Sequence, residues 1–188
     1  MSDQTPQLSG SDLCRSCGLC CDGTLFGRVR LQPQDTPEPL RLTGIIVTSD
    51  DTGSQFKLAC AAHQHGCCHV YASRPSNCRS YQCKLLRRFA KGAVTWAEAL
   101  TQIGRVRRLR EQLGKEVERL RPGMERASVA DINKIVPPFD DLAGDVELHK
   151  YWAPVLLRLV ALRRLAKDGF HAPRRPNVSR ATPDKSPI

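Results

Sequence analysis

The chain has 188 residues, a formal net charge of +10, 26% charged residues and 40% hydrophobic ones. Those values allow one ordinary domain, or one with an appendage, and exclude wholesale disorder. Aromatic residues make up 5% and glycine and proline number 13 each, so part of the chain is expected to be irregular.

No stretch approaches the roughly 18 uninterrupted apolar residues of a membrane span. The most apolar run, residues 155–162, is broken by Arg158. The start has neither the basic nor the apolar region of a secretory signal. These features predict a soluble, cytoplasmic protein.

In chain order, residues 1–10 are polar and expected to be disordered. Residues 24–31 partly alternate apolar and polar positions, as a half-buried strand does. Pro33, Pro37 and Pro39 then argue against regular structure. Residues 45–48 and 55–60 flank a turn cluster, which predicts a hairpin that ends on Cys60. From 95 to 121 the residues Trp96, Leu100, Ile103, Leu109, Leu113, Val117 and Leu120, with Val106 in the long gap, keep helical spacing. Thr95 and Glu98 form a capping box, and Pro122-Gly123 stops the helix. A short helix is expected over 128–135, closed by Pro137-Pro138. A last one, over 145–167, aligns Leu148, Trp152, Leu156, Leu159, Leu162 and Leu165. Pro154 would kink it or mark a later start. The tail 171–188 holds four prolines and is expected to be disordered.

Nine cysteines all lie in the first half, at 14, 17, 20, 21, 60, 67, 68, 78 and 83. An odd count without an export signal argues against a disulfide framework, and core thiols would not bunch at such short gaps. Clustered thiols in a reducing compartment point to metal. In Cys14-x2-Cys17-x2-Cys20-Cys21, two intervening residues let a tight turn bring paired sulfurs to one ion, and Gly18 supplies backbone freedom. Adjacent side chains diverge, so Cys20 and Cys21 suit two different metals, or a ligand and a neighbouring site. Cys78 and Cys83 remain within reach of a common centre.

The combined pattern resembles the YkgJ-type cysteine-cluster family, described as zinc- or iron-chelating and related to flagellin lysine methylases of the FliB type. The matching residues are Cys14, Cys17, Cys20, Cys21, Cys60, Cys68 with Val70 and Tyr71, Arg74-Pro75 and Cys78-Arg79. Cys83 fits a further cysteine that often follows. The resemblance implies eight ligands: Cys14, Cys17, Cys20, Cys21, Cys60, Cys68, Cys78 and Cys83. Cys67 is left over, and Cys67, His63, His65 and His69 are alternative ligands. Tyr71, Arg74 and Arg79 lie among the ligands, and the two arginines would offset thiolate charge.

Eight thiolates suit two zinc sites or iron, including iron–sulfur clusters, since both accept all-thiolate shells. No nucleotide-binding glycine loop, Ser/His/Asp set or methyl-donor motif is present, so no catalytic residue is identified and enzyme status stays open. The resemblance leaves an iron–sulfur enzyme, or enzyme component, of the protein-lysine methylase type as the alternative to a plain chelator.

Residues 91–188 carry nineteen basic and twelve acidic residues, densest at Arg105, Arg107, Arg108 and Arg110. Interleaved acidic residues favour a solvated helix face over nucleic-acid binding, since no stacking aromatics accompany the arginines. A protein partner for the helices is the preferred alternative. The expected architecture is α+β. A small, irregular, metal-organised lobe with short strands (11–90) is followed by a helical segment (91–170) packed on it.

Overall fold

The computed structural model describes residues 8–171. Of the segments expected to be disordered, 1–10 and 171–188, residues 1–7 and 172–188 lie outside the described residues, whereas Ser9 and Gly10 cap and open a helix. The fold is α+β, as expected, but the cysteine-rich half holds more helix than its sequence suggested.

The first helix, α1 (Gly10–Cys17), was not anticipated. Ser9 Oγ accepts from Asp12 N at 3.2 Å, and the Asp12 carboxylate accepts from Ser9 N at 2.9 Å. This reciprocal box satisfies donors that a helix start leaves unpaired. Gly18 ends the helix with φ 68°, the left-handed region where a side chain is strained.

The first strand shrinks to β1 (Arg28–Arg30). Residues 24 and 25 are used instead in the turn behind the cysteines, where Thr24 N donates to Asp22 Oδ1 and Leu25 N to Leu19 O. The hairpin forms as β2 (Val47–Asp50) and β3 (Gly53–Lys57). Its first arm starts late because Ile45 N closes back onto Leu40 O. The three strands form one antiparallel sheet in the order β1-β3-β2, with Val29 and Val47 both registered on the buried Phe56. The prolines before the hairpin do not exclude regular structure. Pro37 caps α2 (Glu38–Arg41) and Pro39 stands in its first turn, where a missing N–H costs no helical hydrogen bond.

A second hairpin, β4 (His63–Gln64) and β5 (Cys67–Cys68), turns through His65 (φ 49°) and Gly66 (φ 75°). Positive φ at both turn residues matches the twist of a two-residue hairpin loop. Two short helices follow, α3 (Ser76–Ser80) and α4 (Lys84–Ala90).

The helical half begins with α5 (Trp96–Leu120), opened by the expected Thr95/Glu98 box. Next come α6 (Val129–Ile135), capped by Ser128, and an unanticipated α7 (Phe139–Gly144) after Pro138. The last helix, α8 (Val146–Gly169), starts at the Asp145 cap and continues through Pro154, so the proline marks no later start. Arg158 bridges the two long helices, with Nη1 2.7 Å from a Glu116 carboxylate oxygen. The buried line of α5 runs Ala99, Ile103, Val106, Arg110, Leu113 and Val117. It is turned from the expected stripe, so Leu100 is exposed and an arginine occupies a core position.

Two apolar cores result. The larger joins α5, α6 and α8 to Leu13, Leu19, Leu25 and Leu85 of the cysteine-rich half. The smaller gathers Leu40, Ile45, Phe56, Leu58, Cys60, Ala62 and Val70. Gly23 (φ 81°) locks the halves together: Val129 N donates to its carbonyl at 3.0 Å. A Cβ there would stand 2.7 Å from that of the fully buried Ser128.

Candidate metal centre

On α1, Cys14 and Cys17 are three residues apart and therefore share a face. The expected two-residue spacing is thus realised on a helix, followed by the Gly18 reversal that returns Cys20. Arg107 of α5 holds the helix end, donating from Nε to Cys17 O at 3.0 Å and from Nη2 to Ser16 O. Cys83 caps α4, and its Sγ accepts from Leu86 N at 3.3 Å. The charges of Cys83 and Cys14 act on Cys17, those of Cys17, its neighbour Cys21, Cys83 and Cys14 act on Cys20, and that of Cys14 acts on Cys83. All four line a cavity of about 50 Å³, walled also by Leu85, Ile103 and Phe170 and reached by Cys21.

The other four cysteines meet around the smaller core. Cys60 N donates to Cys21 O at 2.7 Å, which ties the end of the β2–β3 arm to the cysteine doublet. Charges on Cys68, Cys60 and Cys78 act on Cys21, and those on Cys60 and Cys68 act on Cys78, while Cys14 lies between the groups, acting on Cys21 and feeling Cys68. Cys60 is buried in that core, with Cys21, Cys68 and Cys78 packed around it, whereas Cys17, Cys20 and Cys83 pack on the larger core. The doublet therefore straddles two cores. Cys78 and Cys83, expected within reach of one centre, face different groups.

Burial pushes the Cys17 thiol up to about 12 and the Cys78 thiol to about 11. It raises Cys14, Cys20, Cys21, Cys60 and Cys83 as well. Such groups stay protonated unless a cation pays for ionisation. Several donors favour the thiolate against this trend: the Leu19 amide at Cys17, the Ala62 and His63 amides at Cys60, and the Leu86 amide at Cys83.

Arg74 pulls Cys14 and Cys78 downward, one from each group. Its guanidinium stacks 3.5 Å from the Tyr71 ring centroid and donates from Nε to Tyr71 O at 2.9 Å. The Tyr71 hydroxyl in turn reaches Ser11 O at 3.4 Å. Arg79 faces elsewhere, toward Ser76 Oγ and the charge of Asp35.

His63 abuts Gly18, where a Cβ would stand 2.7 Å from its Nε2. Burial lowers its pKa, and the charges it feels are those of Asp22, Arg107 and Arg126 rather than of any cysteine. Cys67, His65 and His69 are exposed.

Among the described residues, no three Cys, His, Asp or Glu side chains converge closely enough to hold an ion as they stand. The donor chemistry nonetheless fits a thiophilic metal: eight thiols partly or fully buried, three packed on the larger core and four at the smaller one with Cys14 between, and backbone amides aimed at three of them. Sequence reasoning missed Arg107 and Arg110, which it left on a solvated face. Position 110 continues the three- and four-residue steps of Ile103, Val106, Leu113 and Val117, and that spacing was the available signal for a buried arginine.

No curated protein and no solved structure matches the chain. A family model does match residues 13–100, and its description reads "CxxCxxCC: Putative zinc- or iron-chelating domain". The matched segment contains all nine cysteines and both thiol groups. Over residues 13–100, a little under half of its length, the chain is similar to the CxxCxxCC family.

Proposed function

We propose that the protein chelates metal at two four-cysteine centres, Cys14, Cys17, Cys20 and Cys83 in one and Cys21, Cys60, Cys68 and Cys78 in the other. The observation that carries this reading is the split of the Cys20–Cys21 doublet between two cores. Zinc would supply a redox-silent cross-link, and an iron–sulfur cluster would add electron transfer. Arg74 would offset charge at both centres, while Cys67 and the three histidines stay outside them. The setting would be the reducing cytoplasm, which keeps thiols available. The helices would present the partner surface, in support of which Leu157 and Val160 of α8 are exposed.

Metal content and the visible spectrum of protein purified without oxygen test the proposal. About two zinc ions per chain with no visible band give a structural module. Iron with acid-labile sulfide and a charge-transfer band gives a cluster protein, and redox and methyl-transfer assays would follow. Cys83→Ser and Cys60→Ser should each remove one centre and spare the other, and Cys67→Ser should remove neither. Nine free thiols and no metal would overturn the reading.

A further inference from the structure

A second cavity, of about 440 Å³, lies where the cysteine loop meets α5, and no cysteine lines it. Its walls carry Arg107, Arg110 and Arg126 together with His63, Asp22 and Glu125. Arg110 is only 8% exposed. Its Nη2 donates to Ala127 O at 2.6 Å, but its buried Nε has no partner.

A guanidinium this buried needs an anion nearby, because carbonyl oxygens alone do not neutralise its charge. Among the described residues, no carboxylate oxygen lies within 4.0 Å of a nitrogen of Arg107, Arg110 or Arg126. Two of the three wall carboxylates have other engagements. Asp22 accepts from Thr24 N at 2.8 Å, and Glu111, also on the wall, pairs with Lys115 at 2.6 Å. Three arginines thus converge on one cavity, of the size class that holds small molecules; Asp22 and Glu125 act on Arg110 at longer range, but no contact ion pair is made and Arg110 Nε stays unpartnered.

We infer that this cavity binds a small oxyanion, a phosphate or a carboxylate, held by Arg107, Arg110 and Arg126. The planar guanidinium fork matches either group. Asp22 and Glu125 would reject a larger polyanion and favour a ligand that also carries a cationic or hydrogen-donating part. The site goes beyond metal chelation and does not depend on it.

The test titrates the full-length, metal-assayed protein with inorganic phosphate and, separately, acetate, at constant ionic strength balanced with sodium chloride. Saturable binding of one anion is expected, and which one binds identifies the group. Arg126→Gln, an exposed position, should weaken it about tenfold through loss of one charge-assisted hydrogen bond. Arg105→Gln, outside the cavity, should leave it unchanged. Arg110→Gln should abolish it, and if that variant fails to fold, Arg126→Gln carries the test. No saturable binding of either anion, or equal affinity in wild type and Arg126→Gln, would overturn the inference. Metal content measured on the same samples separates this failure from a failure of chelation.

Discussion

The two halves of the molecule reach order by different means. In the helical half, α5 and α8 span 25 and 24 residues, and their own apolar spacing supplies the core that aligns them. In the cysteine-rich half, the longest strand has five residues, and the smaller core contains Cys60 and is flanked by Cys21, Cys68 and Cys78. Long amphipathic helices carry their packing instructions locally. Short strands and turns do not, and on the proposed reading the metal centres supply the missing cross-links.

The largest expected effect follows from that contrast. Stripping metal with a competing chelator should abolish hydrogen-exchange protection around Cys60–Val70 while α5 and α8 amides stay protected. Simultaneous loss in both halves would show that the contrast is false. Leu159→Ala, at a core position 2% exposed, should cost about 2–5 kcal/mol in urea unfolding without changing metal content.

A smaller effect is expected where the halves meet. Gly23→Ala forces positive φ on a side chain and a clash with Ser128. It should cost more than about 1 kcal/mol and lower protection on both sides. The smallest effect compares the two capping boxes. Hydrogen bonds from Ser9 hold Asp12 below its ordinary 3.8, and those from Thr95 hold Glu98 below its ordinary 4.5. A depressed carboxyl stabilises the fold above its unfolded value and loses that contribution as pH falls. Fraying seen by NMR should therefore start at Thr95 first and at Ser9 at lower pH.

The sequence revealed the long helices well, because Thr95, Glu98, Pro122 and the leucine spacing are local signals. It did not reveal α1, although Ser9-x-x-Asp12 is the same kind of signal, since the cysteines there suggested a loop. The strand over 24–31 failed for a tertiary reason: Thr24 and Leu25 serve the turn that carries the doublet. At the site, the bunching of cysteines was legible, and so was the divergence of Cys20 from Cys21. How Cys78 and Cys83 sort between groups was not, because one joins a sheet-backed core and the other caps a helix. Arg110 was hidden by its charge, which spoke for solvent more loudly than its position spoke for burial.

The larger core also bears on how this protein can be cut. The family match ends at residue 100, one turn into α5. Leu13, Leu19, Leu25 and Leu85 lie before that point, yet they share a core with Ile103, Val106, Leu159 and Phe170 beyond it. A fragment trimmed to the matched boundaries would expose those leucines to water and lose Arg107 from the end of α1. The stretch recognisable across relatives is therefore shorter than the stretch that folds, and a soluble minimal fragment must run through Phe170.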